Sequence, residues 1–214
     1  MSLVVAIDGA SGSGKSTLAR ALASRLGLAY LNTGLMYRAV AATALRDGID
    51  PDDGAALARI ADGIGFRIAP GSPPALEVEG WSETDLLTLE VEAVVSAVAR
   101  HPAVRGTLRR AQRDLGGAGA VVEGRDIGTV VFPDAPVKLF LEAAPVVRVD
   151  RRAEERGAPP DATADALLAR DRRDARTTPA VAASDAVVIE TTELDEAATL
   201  EAALAVVADR VGGS

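Results

Sequence analysis

Residues 3–7, Leu-Val-Val-Ala-Ile, form an unbroken apolar run rich in β-branched types that ends at Asp8 and opens into glycines and serines. A short apolar run closed by turn residues predicts a buried strand leading into a loop. Over residues 16–26 the period changes: Leu18, Ala19, Leu22, Ala23 and Leu26 recur at helical spacing, and Gly27 follows as a stop. Residues 28–31 predict a second strand, and Asn32-Thr33-Gly34 leads into a helix through Met36, Ala39, Val40 and Leu45 that ends near Gly48. Between 49 and 82, Gly and Pro punctuate two short strand candidates, 66–69 and 76–79, which read as a hairpin insertion. Two helices are expected over 83–115, divided at Pro102, with further buried strands at 121–122, 137–141 and 186–189. The segment 145–175 is dense in charge and arginine and is interrupted by Gly157-Ala158-Pro159-Pro160; an Ala-rich helix closes the chain over about 196–211. Strands alternating with helices predict an α/β fold built on a doubly wound, mostly parallel five-stranded sheet.

The 214 residues suit one α/β domain with insertions. Apolar residues make up 48% and aromatics 3%, so the core must be built from Ala, Val and Leu. Cysteine is absent and His101 is the only histidine, which excludes thiol nucleophiles, histidine triads and thiolate or His-Cys metal sites. Chemistry is left to carboxylates, arginines, lysines, hydroxyls, the backbone or a borrowed metal. A net charge of −8 argues against the broad basic face of a nucleic-acid binder but leaves room for local anion pockets. No leader pattern opens the chain and no apolar stretch reaches the length of a membrane span, so a cytoplasmic location without a membrane partner is expected.

Gly9-Ala10-Ser11-Gly12-Ser13-Gly14-Lys15-Ser16, followed by Thr17, fits G-x-x-x-x-G-K-[ST] between a predicted strand and a predicted helix. In that setting successive backbone N–H groups wrap a polyphosphate, and the helix adds the positive end of its dipole. Lys15 then reaches the β- and γ-phosphates, and Ser16 is the candidate Mg²⁺ ligand. Of 23 basic residues only Lys15 and Lys138 are lysine, the other 21 being arginine. A lysine kept in the loop suits a cradle shaped for a compact ammonium rather than a planar fork.

A nucleoside triphosphate loop serves switches, motors and kinases alike. The single asparagine, Asn32, is followed by Thr33, so the N-K-x-D motif of guanine-specific switches is missing; residues 120–123, Ala-Val-Val-Glu, match the acid-terminated strand of a motor weakly. A kinase acting between two anionic reactants needs many separated cations, and Arg38, Arg105, Arg125, Arg151, Arg152, Arg156, Arg170, Arg173 and Arg176 are the candidates. The alternatives are a kinase for UMP, AMP or a small hydroxylated metabolite, and a regulatory nucleotide switch without catalysis.

Several segments together resemble the bacterial-type cytidylate (CMP/dCMP) kinases: Asp8-Gly9 with the loop, residues 32–38 (Asn-Thr-Gly-Leu-Met-Tyr-Arg), residues 94–99, Pro102 to Arg105, residues 123–138, Arg170-Asp171, Asp174 and Asp185-Ala186. The resemblance spans nearly the whole chain in order. It implies a nucleoside monophosphate kinase with a P-loop core, an acceptor-binding insert at about 60–98 and a lid at about 150–166. It implies ATP and Mg²⁺ as cofactors and CMP and dCMP as small-molecule partners, and a monomer is expected. Carried over by position, Thr33, Tyr37 and Arg38 line the acceptor site, with Arg38 and Arg125 on the acceptor phosphate. Ser96, Arg105 and Asp126 hold the cytosine, Arg170 and Asp174 reach sugar and phosphate, and Lys15, Arg125, Arg151 and Arg152 serve catalysis.

On the same footing, Asp126 would accept from the cytosine N4 amino group while Arg105 donates to its acceptors. Uracil reverses both demands, at a cost of about 1–3 kcal/mol per mismatched buried group. The chain departs from the family in three places: Asp174 is followed by Ala175, Arg176 and Thr177 rather than by an arginine at the usual spacing, Leu86-Leu87 stands where Ile-Arg is usual, and 177–184 is shortened. Asp8 is a candidate second-sphere group for Mg²⁺ or for the loop backbone.

Overall fold

The computed structural model describes residues 2–157, 164, 169, 177 and 181–212. In chain order its first half comprises β1 (Val4–Gly9), α1 (Lys15–Leu26), β2 (Ala29–Asn32), α2 (Thr33–Arg46), α3 (Gly54–Gly63), β3 (Phe66–Ala69) and β4 (Ala75–Val78). The second half comprises α4 (Glu83–Leu86), α5 (Leu89–Ala99), α6 (Pro102–Gly116), β5 (Ala120–Gly124), a π-helical turn (Ile127–Val131), β6 (Val137–Glu142), α7 (Pro145–Arg156), β7 (Val187–Glu190) and α8 (Glu196–Gly212).

β1, the first apolar run from Val4 on, is buried along its whole length because both of its edges and both of its faces are covered. β1 pairs in parallel with β5 on one side and β6 on the other, so Val5 sits between Val121 and Val137. Unbroken apolar runs of this kind are the signature of a parallel sheet packed on two faces. The strand order is β3-β4-β2-β5-β1-β6-β7. The five parallel strands expected from the sequence are β2, β5, β1, β6 and β7, and the hairpin β3–β4 extends that sheet to seven instead of standing apart as an insertion. Tyr30 pairs with Ala75, and its backbone N–H donates to Pro74 O at 2.7 Å. The hairpin thereby covers the polar edge that β2 would otherwise expose.

One core layer lies under α2, α5 and α6, with Leu31, Met36, Leu57, Val98, Leu108 and Val122 buried in it. The other lies under α1 and α8, around Leu22, Leu139, Leu141 and Ala203. Both are built from Ala, Val and Leu with few aromatics, as the composition requires. Among the described residues no helix is long and apolar enough to cross a membrane.

Helices α3 and α7 are additional to the elements predicted from the sequence, although Ala56, Leu57, Ile60 and Ala61 recur at helical spacing in α3. α3 starts where the Asp53 carboxylate accepts from the N–H groups of Ala55 and Ala56, an N-cap, but glycines begin and end it. α7 turns arginines inward: Arg148 is buried and Arg151 and Arg152 are half-buried. The helix expected from residue 83 is divided at Leu87, because Ser82 with Asp85 makes a capping box for α4 and Thr88 caps α5 anew.

Lys138, the second lysine, is structural. Its buried ammonium donates to Pro133 O and to both carboxylate oxygens of Asp185, at 2.9 and 2.8 Å. It clasps the turn before β6 to the chain entering β7. The partner ammonium holds the Asp185 carboxyl below its ordinary value.

Leu108 has no exposed surface and lies under α6 in the first core layer. Leu108→Ala is expected to destabilise the fold by about 2–5 kcal/mol, measured by urea denaturation.

Candidate active site

The loop between β1 and α1 is fixed by backbone geometry that side chains would obstruct. Gly12 (φ +76°) and Gly14 (φ +90°) lie in the left-handed region, and a Cβ on Gly12 would stand 2.7 Å from Arg148 O. Gly14 caps α1, which begins at Lys15, so the N–H groups of the first helical turn, which have no intrahelical carbonyl, lie at the loop. The Lys15 ammonium donates to Ala10 O at 2.6 Å, across the loop. Ser13 is fully buried, and its Oγ is without a hydrogen-bond partner.

Behind the loop stands Glu123, the last acid of β5 and buried. Its Oε2 accepts from Ser16 Oγ at 3.0 Å and its Oε1 from Tyr30 OH at 2.6 Å. Its backbone carbonyl accepts from Thr33 Oγ1 at 2.7 Å. Burial and the adjacent Glu123 charge push the Tyr30 hydroxyl far above its ordinary value, so it remains a donor. Ser16 and Glu123 thus place two hard oxygen donors side by side, a set suited to a small oxygen-seeking cation that keeps most of its ligands as water and phosphate. Among the described residues no group of three or more acidic or histidine side chains could hold a metal without help.

The second half of the site grows from the turn after β5. Asp8, at the end of β1, accepts from the backbone N–H of Ile127 at 2.8 Å and of Gly128 at 2.7 Å. Burial raises the Asp8 carboxyl above its ordinary value, and the two N–H bonds pull it back down. Asp8 therefore serves the turn that carries Arg125 and Asp126, not the loop backbone. From α6, Arg105 and Arg109 both donate to Asp126 Oδ2, at 2.9 and 2.7 Å. Tyr37 is packed against this cluster, its hydroxyl raised by burial and countered chiefly by the charge of Arg105.

A cleft of about 500 Å³ joins the two halves. Of the residues singled out in the sequence, Ser11, Gly12, Gly14, Lys15, Ser16 and Thr17 line it from the loop side. Thr33, Tyr37, Arg38, Ser96, Arg105, Arg125, Asp126 and Arg152 also line it. Gly9, Ala10 and Ser13 shape the loop without lining the cleft. Thr33 commits its hydroxyl to the Glu123 carbonyl. Arg151 is not in the lining: its guanidinium donates to Thr191 O at 2.6 Å and to Thr191 Oγ1 at 3.1 Å, which draws it toward the chain after β7. Arg170, Asp174, Arg173 and Arg176, with residues 158–163, 165 and 166 of the expected lid, lie outside the described residues.

Three residues passed over in the sequence belong to the site. Glu123 was visible as the acid closing an apolar strand. Arg109 follows Arg105 by four positions, the spacing that puts two side chains on one helix face. Arg148 is buried, donates to Ser11 O at 2.9 Å and buttresses the loop, with no signal in the sequence beyond a basic segment.

The cytidylate kinase family model matches residues 5–209. A cytidylate kinase of Streptomyces avermitilis is 42% identical over 97% of this chain and 94% of its own length, and one of Thermus thermophilus is 45% identical over 88% and 90%. A bifunctional pantoate ligase/cytidylate kinase of Gloeobacter violaceus is 42% identical over 99% of this chain, which spans 44% of that protein. A gluconokinase structure from Sinorhizobium meliloti shares the fold at TM-score 0.50 and 15% identity, covering 99% of this chain and 94% of the other.

Asp8→Ala strands two buried N–H donors at about 1–3 kcal/mol each. The expected outcome, read by chemical denaturation, is a loss of stability on that scale for each donor; retention of full stability would show that the turn holds itself.

Proposed function

Because this chain belongs to the cytidylate kinase family, we propose that its cleft transfers the γ-phosphoryl group of ATP directly to the phosphate of CMP or dCMP, giving ADP and CDP or dCDP. The observation that carries this reading is one cleft lined by both a P-loop with Lys15 and a carboxylate gripped by arginines at Asp126. The first suits a triphosphate and the second a base with an exocyclic amino group.

The acceptor phosphate already carries the attacking oxygen as an anion, so no general base is required, and positioning with charge neutralisation supplies the catalysis. Backbone N–H groups of the loop cradle the triphosphate, and Lys15 turns from Ala10 O to the β- and γ-oxygens. Ser16, backed by Glu123, would hold Mg²⁺, which would supply charge neutralisation to the triphosphate. Arg38 and Arg125 bind the acceptor phosphate, and Arg152 neutralises charge on the group in flight. Arg151 braces the loop side beside Gly14.

For the base, Arg105 and Arg109 hold the Asp126 carboxylate in place from one side. The Asp126 carboxylate accepts from the cytosine amino group, and Ser96 and Arg105 reach its remaining polar edge. Uracil would turn a carbonyl oxygen toward the carboxylate, which explains a preference for cytosine.

ADP release should be measured with CMP, dCMP, UMP and AMP as acceptors. CMP and dCMP are expected to be the good substrates, and AMP turnover equal to that of CMP would overturn the base assignment. Asp126→Asn is expected to narrow the CMP-over-UMP ratio in kcat/KM by about tenfold. Lys15→Ala is expected to lower kcat by about 10²–10³, the scale of one lost charge-stabilising donor.

A further inference from the structure

A carboxylate outside the cleft lining stands against two arginines that belong to it. Glu92 on α5 points one oxygen, Oε2, at two arginines from different elements: Arg152 Nη2 of α7 at 3.2 Å and Arg38 Nη2 of α2 at 3.5 Å. All three side chains are largely withdrawn from water, with 15% of Glu92, 6% of Arg38 and 19% of Arg152 exposed. Both guanidiniums line the cleft.

Each arginine also has a second anchor that does not depend on Glu92. Arg38 Nη1 donates to Leu86 O at 3.1 Å, and Arg152 Nη1 donates to Glu155 Oε2 at 2.7 Å. Arg152 Nε is buried and makes no hydrogen bond, so one strong donor of this guanidinium is unspent. Two cations brought together at low exposure repel unless an anion stands between them, and burying them unpaired is costly. Glu92 meets that need through Oε2, which faces both guanidiniums. A phosphate dianion would meet it better, having more charge, three acceptor oxygens and a use for the idle Nε.

We propose that Glu92 is a placeholder for the acceptor phosphate: it holds Arg38 and Arg152 in the empty enzyme and is displaced when the monophosphate binds. The inference rests on the phosphoryl-transfer reading above. It has two consequences. The acceptor must compete with an internal carboxylate, so its KM is higher than the arginines alone would give. Arg152 stays engaged until the acceptor arrives, so it does not assist attack by water on a bound triphosphate, and acceptor-free hydrolysis stays low.

The test is steady-state kinetics on the full chain and on Glu92→Gln, with CMP and ATP varied in turn and ADP release also followed without acceptor. Glu92→Gln is expected to lower KM for CMP about tenfold, the scale of one charge-assisted hydrogen bond. KM for ATP should stay within twofold, and acceptor-free ADP release should rise by a factor similar to the fall in KM. A CMP KM that is unchanged or raised would overturn the proposal, because Glu92 would then only be organising the arginines. If Glu92→Gln does not fold, Glu92→Asp, which shortens the reach and keeps the charge, should lower KM in the same direction by a smaller factor, and no decrease there overturns the proposal equally. Failure of the unaltered chain to release ADP in response to CMP would instead sink the phosphoryl-transfer reading, so the two failures are distinct.

Discussion

The site depends on one buried carboxylate. Asp8 ends the central strand and holds, through two backbone N–H groups, the start of the π-helical turn that follows β5. β1 also delivers the chain into the P-loop. The same strand end therefore sets both the place of the triphosphate cradle and the place of Arg125 and Asp126. A charged side chain is kept here in spite of burial because two short N–H bonds replace its lost hydration. Little room is left for error at the contact, since a Cβ on Gly128 would lie 3.4 Å from Asp8 Oδ2 and 3.3 Å from Lys138.

Glu123 makes a second link of the same kind. It sits one strand over, in register with Ile7, and joins Ser16 of the loop to Tyr30 and Thr33 of the neighbouring β2–α2 corner. With Asp8 it ties the donor and acceptor halves to adjacent strands of one rigid sheet. Rigid support of this kind holds two reactants in line without spending binding energy on rearrangement. Arginine plays both parts in the design: Arg148, Arg113 and Arg151 hold carbonyl groups of the frame, whereas Arg38, Arg105, Arg125 and Arg152 face the cleft.

Legibility in the sequence followed the physics of each segment. β1, β5 and β6 could be read because full burial writes an apolar run, and the loop could be read because its glycines are required by backbone conformation. α7 was read only as a charged, arginine-rich stretch, because the side that packs inward carries Arg148, which binds a backbone carbonyl, beside the small Ala153. The hairpin was visible as two strands, but its place on the edge of β2 depends on a single pairing at Tyr30 and Ala75, and no local pattern encodes a partner across the sheet. Of the cleft lining, Lys15, Ser16, Arg105 and Asp126 are residues that motif and resemblance single out. Glu92 is not among those residues: nothing in an acid on a helix indicates that it will meet two arginines from other elements. Arg151 shows the reverse, an arginine in the expected stretch whose guanidinium turns to Thr191.

The clasp at the foot of β6 and β7 bears on the length of the chain between them. Lys138 grips Asp185, Glu142 O accepts from Thr191 N–H at 2.8 Å, and Ala144 N–H donates to Thr192 Oγ1 at 2.8 Å. Because β6 and β7 are parallel, the excursion leaves beside Thr191 at one end of the pair and returns beside Lys138 at the other, and each end is held to the neighbouring strand. Closing such a loop costs an entropy that grows only with the logarithm of its length, about 0.6 kcal/mol for each doubling. A change of length confined to the stretch between α7 and β7 is on this account inexpensive to the sheet, whereas α7 itself is tied to the loop by Arg148.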